Sequence, residues 1–277
     1  MLEWRAVKGI VVGGVPQSEG RSGRAPKRRA ALRYRPCDDA RAPMVGPEAE
    51  TMDRRPLASR ETGWARTMAA WLTAAGAAPN AISIAGMGFG VTAGVAFALT
   101  RATPAGWVER GLWLAGALFV QLRLLANLLD GMVAVEGNRR SRTGELYNEI
   151  PDRVSDSAIL LGAGVGCGAL WAEGLALGLF AALAAMFVSY IRAVGKATTG
   201  TSAYIGPMAK QHRMAVVTIA AVAVALLPQS LRLTWTWTNH GEPFGLIAVA
   251  LVVIVVGCAI TAFRRLIRIA RSMRGTS

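Results

Sequence analysis

Four blocks without a single charged residue dominate this chain: Asn80–Thr100, Gly174–Ile191, Met214–Leu231 and Phe244–Phe263. Each runs 18 to 21 residues, the length an α-helix needs to cross roughly 30 Å of hydrocarbon. Two further blocks, Gly111–Val135 and Val154–Ala172, are as long but hold isolated charges: Arg123 and Asp130 in the first, Asp156 in the second. A large soluble protein can bury one such run, but a chain of 277 residues cannot hide six. The expected fold is therefore an all-α integral membrane protein with six transmembrane helices.

Orientation follows from where the basic residues fall. The segment before the first block is rich in Arg. The second-to-third connection carries Arg139, Arg140, Arg142 and Arg153, and the fourth-to-fifth carries Lys196, Lys210 and Arg213, with Arg192 at the helix end. The tail adds Arg264, Arg265, Arg268, Arg271 and Arg274. The alternate connections are poor in Lys and Arg, so both termini are expected on the cytoplasmic side of a bacterial-type inner membrane. The net charge of +14 then belongs to one membrane face. It suits anionic lipid head groups and phosphate-bearing substrates, and a nucleic-acid partner is not needed to explain it. Cys37, Cys167 and Cys258 show neither CxxC spacing nor a disulfide framework, and His212 and His240 are too scattered for a zinc site.

Residues 1–62 differ from the rest. The stretch "GRSGRAPKRRAALRYRPCDDARAP" mixes Arg, Pro, Gly and Ser without periodicity, which reads as a basic, disordered tail. It either binds anionic lipid or lies upstream of a later start such as Met44 or Met52, the second being favoured. The membrane domain is expected over 63–271. At its start, Trp64, Met68, Trp71 and Leu72 recur at helical spacing near Arg60 and Arg66, the pattern of an amphipathic helix lying at the interface. Pro79 suits the first turn of the following helix. Trp235 and Trp237 are expected as anchors in the opposite head-group layer.

The chemistry concentrates in "NLLDGMVAVEGNRRSRTGELYNEIPDRVSD", residues 127–156. On a helix Asn127 and Asp130 share a face, as do Asn148 and Asp152, and Asp156 extends the second face by a turn. Two such oxygen-bearing faces can converge on a hard divalent cation. Gly131 and Ala134 are small enough for another helix or a flat ligand to approach. Gly144 can take loop conformations that other residues resist. The plainer alternative is that these groups end helices at the water boundary, paired with Arg139, Arg140, Arg142 and Arg153. It is weaker for the whole group, because Asp130 and Asp156 lie in apolar runs where a charge costs roughly 2.5–3.5 kcal/mol at a helix centre.

The spacing resembles the CDP-alcohol phosphatidyltransferase signature, D-x2-D-G-x2-A-R-x8-G-x3-D-x3-D. Here the string is Asn127-x2-Asp130-Gly131-x2-Ala134-Val135-x8-Gly144-x3-Asn148-x3-Asp152. All eight positions agree in spacing and five agree in identity. The resemblance implies six transmembrane helices, with the signature at the end of the second and the start of the third. It implies transfer of a phosphatidyl or similar phosphoalcohol group from a CDP-activated lipid to an alcohol acceptor, releasing CMP, in phospholipid synthesis. It also implies a divalent metal, magnesium or manganese, and a homodimer. By position, Asn127, Asp130, Asn148 and Asp152 correspond to the metal-binding aspartates, and Asp152 to the general base.

The departures are Asn127 and Asn148 in place of aspartates and Val135 in place of arginine. The asparagines still offer carbonyl oxygens but remove two negative charges, so one metal, two metals or none remain open. Asp156, or Glu149 in the neighbouring turn, is an acidic group able to restore charge. Arg192, Lys210 and Arg213 correspond to the region where the family's basic residues meet phosphates of the donor or a phosphorylated acceptor; the alternative is ordinary positive-inside topology. The rival functions are a CDP-lipid-binding homologue without turnover, and a small transporter or membrane scaffold. A transporter is expected to show polar positions near mid-membrane and a repeat between halves, and neither is visible here.

Overall fold

The computed structural model describes residues 62–137, 144–167, 171–200, 202, 204–228 and 245–274. The basic tail, Arg139, Arg140, Arg142, Trp235 and Trp237 lie outside them. Every regular element among the described residues is helical. α1 is Gly63–Ala74, α2 Pro79–Leu99, α3 Trp107–Glu136, α4 Gly144–Val165, α5 Trp171–Thr199, α6 Lys210–Leu226 and α7 Leu246–Arg274, with a single 3-10 turn at Thr100–Ala102.

Four stretches are long and apolar enough to cross a membrane: Pro79–Ala102, Trp107–Glu136, Glu173–Thr199 and Leu246–Arg274. The other two expected spans correspond to α4, whose first thirteen residues carry Glu145, Glu149, Asp152, Arg153 and Asp156, and to α6, which has 17 residues. Large apolar side chains point outward: Phe180, Phe187, Ile219, Leu226 and Phe263 are all exposed. Water would penalise such a surface, whereas lipid tails accommodate it. The interior combines large side chains such as Phe97, Trp113 and Leu251 with many small ones, among them Ala93, Ala163, Ala181, Ala185, Ala220 and Ala221.

α1 turns its alanines inward. Ala65 and Ala69 pack on Leu128, Leu129, Met132 and Val133 of α3, while Trp64, Met68 and Trp71 face out. Its end is set by Gly76 at φ 77°, where the Gly76 and Ala77 amides donate to the Thr73 and Leu72 carbonyls at 3.0 Å each. That paired closure needs the left-handed conformation that glycine adopts without penalty. Pro79 then begins α2, as expected.

The six long helices neighbour one another in the cyclic order α3, α2, α4, α5, α7, α6. The α2–α4 seam is the tightest. A Cβ on Gly94 would stand 2.2 Å from the Ala158 carbonyl oxygen, and one on Gly162 would stand 2.0 Å from that of Gly94. Only glycine lets the two backbones approach so closely. The segment before α6 hangs on α7: Thr261 Oγ1 accepts from the Met208 amide at 3.0 Å, and Arg265 donates to the Ile205 and Val188 carbonyls at 3.0 and 2.8 Å. The starts of α2, α4 and α6 and the ends of α3, α5 and α7 thereby gather at one end of the bundle, where the polar residues sit.

Candidate functional site

α3 and α4 deliver the four aspartate-equivalent positions of the signature to one cavity. Its walls include Ser83 from α2, Arg123, Asn127 and Asp130 from α3, and Asn148 and Asp152 from α4. Helical periodicity does this locally, since residues three and four apart share a face. The α2–α4 seam holds α4 against the bundle. Asn127 Nδ2 donates to Asn148 Oδ1 at 3.0 Å and to Asp152 Oδ1 at 3.3 Å. Asp130 is buried and accepts from the Ser83 hydroxyl at 2.6 Å.

Cations enter from two other places. Lys210, the first residue of α6, donates to Asn127 Oδ1 at 2.9 Å and pairs with Asp152 Oδ2. Arg123, one turn before Asn127, donates to Asp152 at 3.1 Å and to Asp156 at 2.5 Å. Its side chain is only 1% exposed, and Nε and Nη1 have no hydrogen-bond partner among the described residues. Beneath this level Asp156 is enclosed: one oxygen takes Arg123, the other takes Arg213 at 2.9 Å, and Arg213 also donates to the Met208 carbonyl at 3.2 Å. Two buried guanidiniums thus occupy both oxygens of one buried carboxylate, the pairing that a charge in a low-dielectric interior requires.

Asp156 therefore departs from its expected place as a metal-facing group, because both its oxygens are already bound by arginines. Glu149, the other acidic group named for charge restoration, pairs with Arg153 and Arg192 at the outer edge of α4. Burial alone would push its carboxyl up, but the two guanidiniums hold it below the usual carboxylate range. Arg192 is thus fixed from α5 onto α4, and Arg153 also donates to Ser189. Gly131 and Ala134 are half-buried on the last turns of α3, and Val135 is exposed. Gly144 opens α4 as a helical residue rather than standing in a loop. His212 is exposed, with Nδ1 2.6 Å from the Pro207 carbonyl.

Sequence reasoning missed Arg123 and Ser83 as site residues. Arg123 carried a readable signal: a lone arginine inside an apolar run is costly unless something pairs with it, and it stands one helical turn from Asn127. Ser83 carried none, because its role depends on α2 lying beside α3.

The donor set can be compared with what a divalent cation needs. Two carboxylates and two amide groups on one cavity are hard oxygen donors of the right kind. Yet Asn148 Oδ1, Asn127 Oδ1 and both Asp152 oxygens already accept from N–H donors. Asp130 is the one carboxylate lining this cavity without an ion-pair partner among the described residues, which fits a single ion and not a pair. No cluster of three or more His, Cys, Asp or Glu suited to a metal occurs among the described residues.

No family profile matches the chain. It is similar to inner membrane protein YnbA of Escherichia coli K12, 27% identical over 128 residues, covering 46% of this chain and 60% of that protein. It is also 28% identical over 213 residues to phosphatidylinositol phosphate synthase of Streptomyces avermitilis, covering 73% of this chain and 76% of that one. Among solved structures, it resembles Mycobacterium tuberculosis phosphatidylinositol phosphate synthase with CDP-DAG bound, at a TM-score of 0.58 and 21% identity over 74% of this chain and 92% of that one. The same enzyme in complex with manganese and citrate matches at a TM-score of 0.56 and 21% identity, over 74% of this chain and 88% of that one. The chain shares their fold.

Proposed function

We propose that this chain is an integral membrane transferase that moves a phosphatidyl group from a CDP-linked lipid to an alcohol and releases CMP. The observation that carries the reading is the convergence of Asn127, Asp130, Asn148 and Asp152 on one cavity. The similarity to a phosphatidylinositol phosphate synthase supports it. All of α2 to α7 cross the bilayer in this reading, with α1 at the interface. Both termini and the polar end of the bundle face the cytoplasm, as the basic residues imply. Acyl chains then stay in lipid while the nucleotide and acceptor meet the cavity from water.

Each residue has a task. Asp152, at the cavity wall and oriented by Arg123, accepts the proton of the acceptor hydroxyl, which requires hydrogen-bond reach. The Nε–H and Nη1–H of Arg123, unpartnered among the described residues, meet a phosphate of the donor. Gly131 and Ala134 let the nucleotide approach α3. A magnesium or manganese ion held by Asp130, with help from Asn127, Asn148 and Asp152, would neutralise charge developing on the CMP leaving group. Arg192 is placed at the outer edge to receive a phosphorylated acceptor. Arg213 works at one remove, fixing Asp156 and through it Arg123. A homodimer is part of the proposal, and light scattering of the purified protein in detergent tests it.

The functional test is CMP release from CDP-diacylglycerol by the purified protein with magnesium or manganese. Glycerol 3-phosphate, inositol phosphate, serine and choline serve in turn as acceptor, and inositol phosphate and glycerol 3-phosphate are expected to work best. Absence of CMP with every acceptor and metal overturns the transferase reading. One observation favours a second reading, a homologue that binds CDP-lipid without turnover: Asn127 and Asn148 each lack the charge of an aspartate. Tight CDP-diacylglycerol binding without CMP release would establish it.

A further inference from the structure

We propose that the Lys210 ammonium is a tethered cation that replaces one of two divalent ions, so that this chain binds a single divalent ion beside Asp130. Three facts meet at this point. First, the ammonium is anchored on two of the signature's four aspartate-equivalent positions, Asn127 at 2.9 Å and Asp152. Those are oxygens that an aspartate-rich version of the cluster would offer to metal. Second, Asp152 and Asp156 already face three cations, Arg123, Lys210 and Arg213, and of the cavity's carboxylates only Asp130 is left without an ion-pair partner among the described residues. Aspartates at 127 and 148 would add two negative charges, the charge that one divalent ion cancels. Third, the asparagines are the neutral isosteres that such an exchange requires. Asn127 offers its carbonyl to the ammonium and its amide to Asn148 and Asp152, a donor role that an ionised aspartate cannot fill.

A lysine suits this task because its charge is a compact point on a flexible stem, with three donors to spread over several oxygens. It also sits at the first residue of α6, whose preceding segment is held by Thr261 and Arg265. The position of the charge is thus set by the bundle and needs no bound ligand.

The inference rests on the transferase reading for what the cation is for, but not for how many ions bind. It is tested by counting manganese ions per chain by electron paramagnetic resonance on the purified full-length protein in lipid nanodiscs. Wild type is expected to bind one. The triple variant Asn127→Asp, Asn148→Asp, Lys210→Met is expected to bind two. A count of two or of none in wild type overturns the proposal, as does a triple variant that still binds one. Should the triple variant fail to fold, Lys210→Met alone decides the matter: removing the ammonium is expected to tighten manganese binding about tenfold, and an unchanged affinity overturns the proposal. CMP release is measured on the same samples. One manganese with no CMP would refute the transferase reading and leave the cation replacement standing.

Discussion

Asp152 and Asp156 lie one turn apart on α4, yet they occupy different worlds. Asp152 lines a cavity and shares its oxygens among Asn127, Arg123 and Lys210. Asp156 is 3% exposed and closed off by two guanidiniums. Arg123 bridges the two levels, donating to both carboxylates. The difference teaches that residue type does not assign the task. The upper level can exchange its partners for a substrate, while the lower level has none to spare and serves as the floor on which the upper one stands.

The largest effect should come from breaking the floor. Asp156→Ala leaves Arg123 and Arg213 buried without their shared counterion, and loss of one partner of such a group costs about 3–5 kcal/mol. Little folded protein should be recovered, as read by size exclusion and thermal unfolding in detergent. Asp152→Asn attacks the upper level alone. It should yield folded protein whose CMP release falls roughly 10²- to 10⁴-fold, the usual contribution of a general base; a loss below tenfold would remove Asp152 from that role. Ser83→Ala removes the hydroxyl that orients Asp130. Manganese affinity should drop about 10- to 100-fold, as for other groups that orient a metal ligand, and a titration followed by paramagnetic resonance reads it.

The smallest effect belongs to the outer edge. Glu149→Gln loosens Arg153 and Arg192, and partly exposed ion pairs of this kind contribute about 0.2–1 kcal/mol. Because the Glu149 carboxyl is held below its ordinary value of 4.5, its contribution is fully present above that pH and is lost as pH falls through the lowered value. Thermal midpoints of wild type and Glu149→Gln should therefore differ at neutral pH and converge only in strong acid.

Much of this was legible in the chain, and the limit has a physical cause. Helix existence and the pairing of Asn127 with Asp130, or Asn148 with Asp152, are local matters of periodicity, so the spacing conveys them. What the spacing lacks is which helices are neighbours. The order α3, α2, α4, α5, α7, α6 is not the chain order, so Ser83 meets Asp130 across 47 residues and Lys210 meets Asn127 across 83. Asp156 shares its helical face with Asn148 and Asp152, so periodicity alone groups it with the metal-facing residues. Its two arginines come from other helices and could not be paired with it beforehand. Gly94 and Gly162 illustrate the same limit, since nothing in an apolar run marks which of its glycines press against another backbone.

The suspension of the segment before α6 from Thr261 and Arg265 changes how distance along the chain should be weighed. Lys210 takes its bearings from a helix that begins 36 residues after it, at Leu246. Mechanically, α7 is a strut: two hydrogen bonds from it hold the segment that leads to the mouth of the cavity. Residues far from the reacting atoms on α7 are in that sense part of the instrument that aims them.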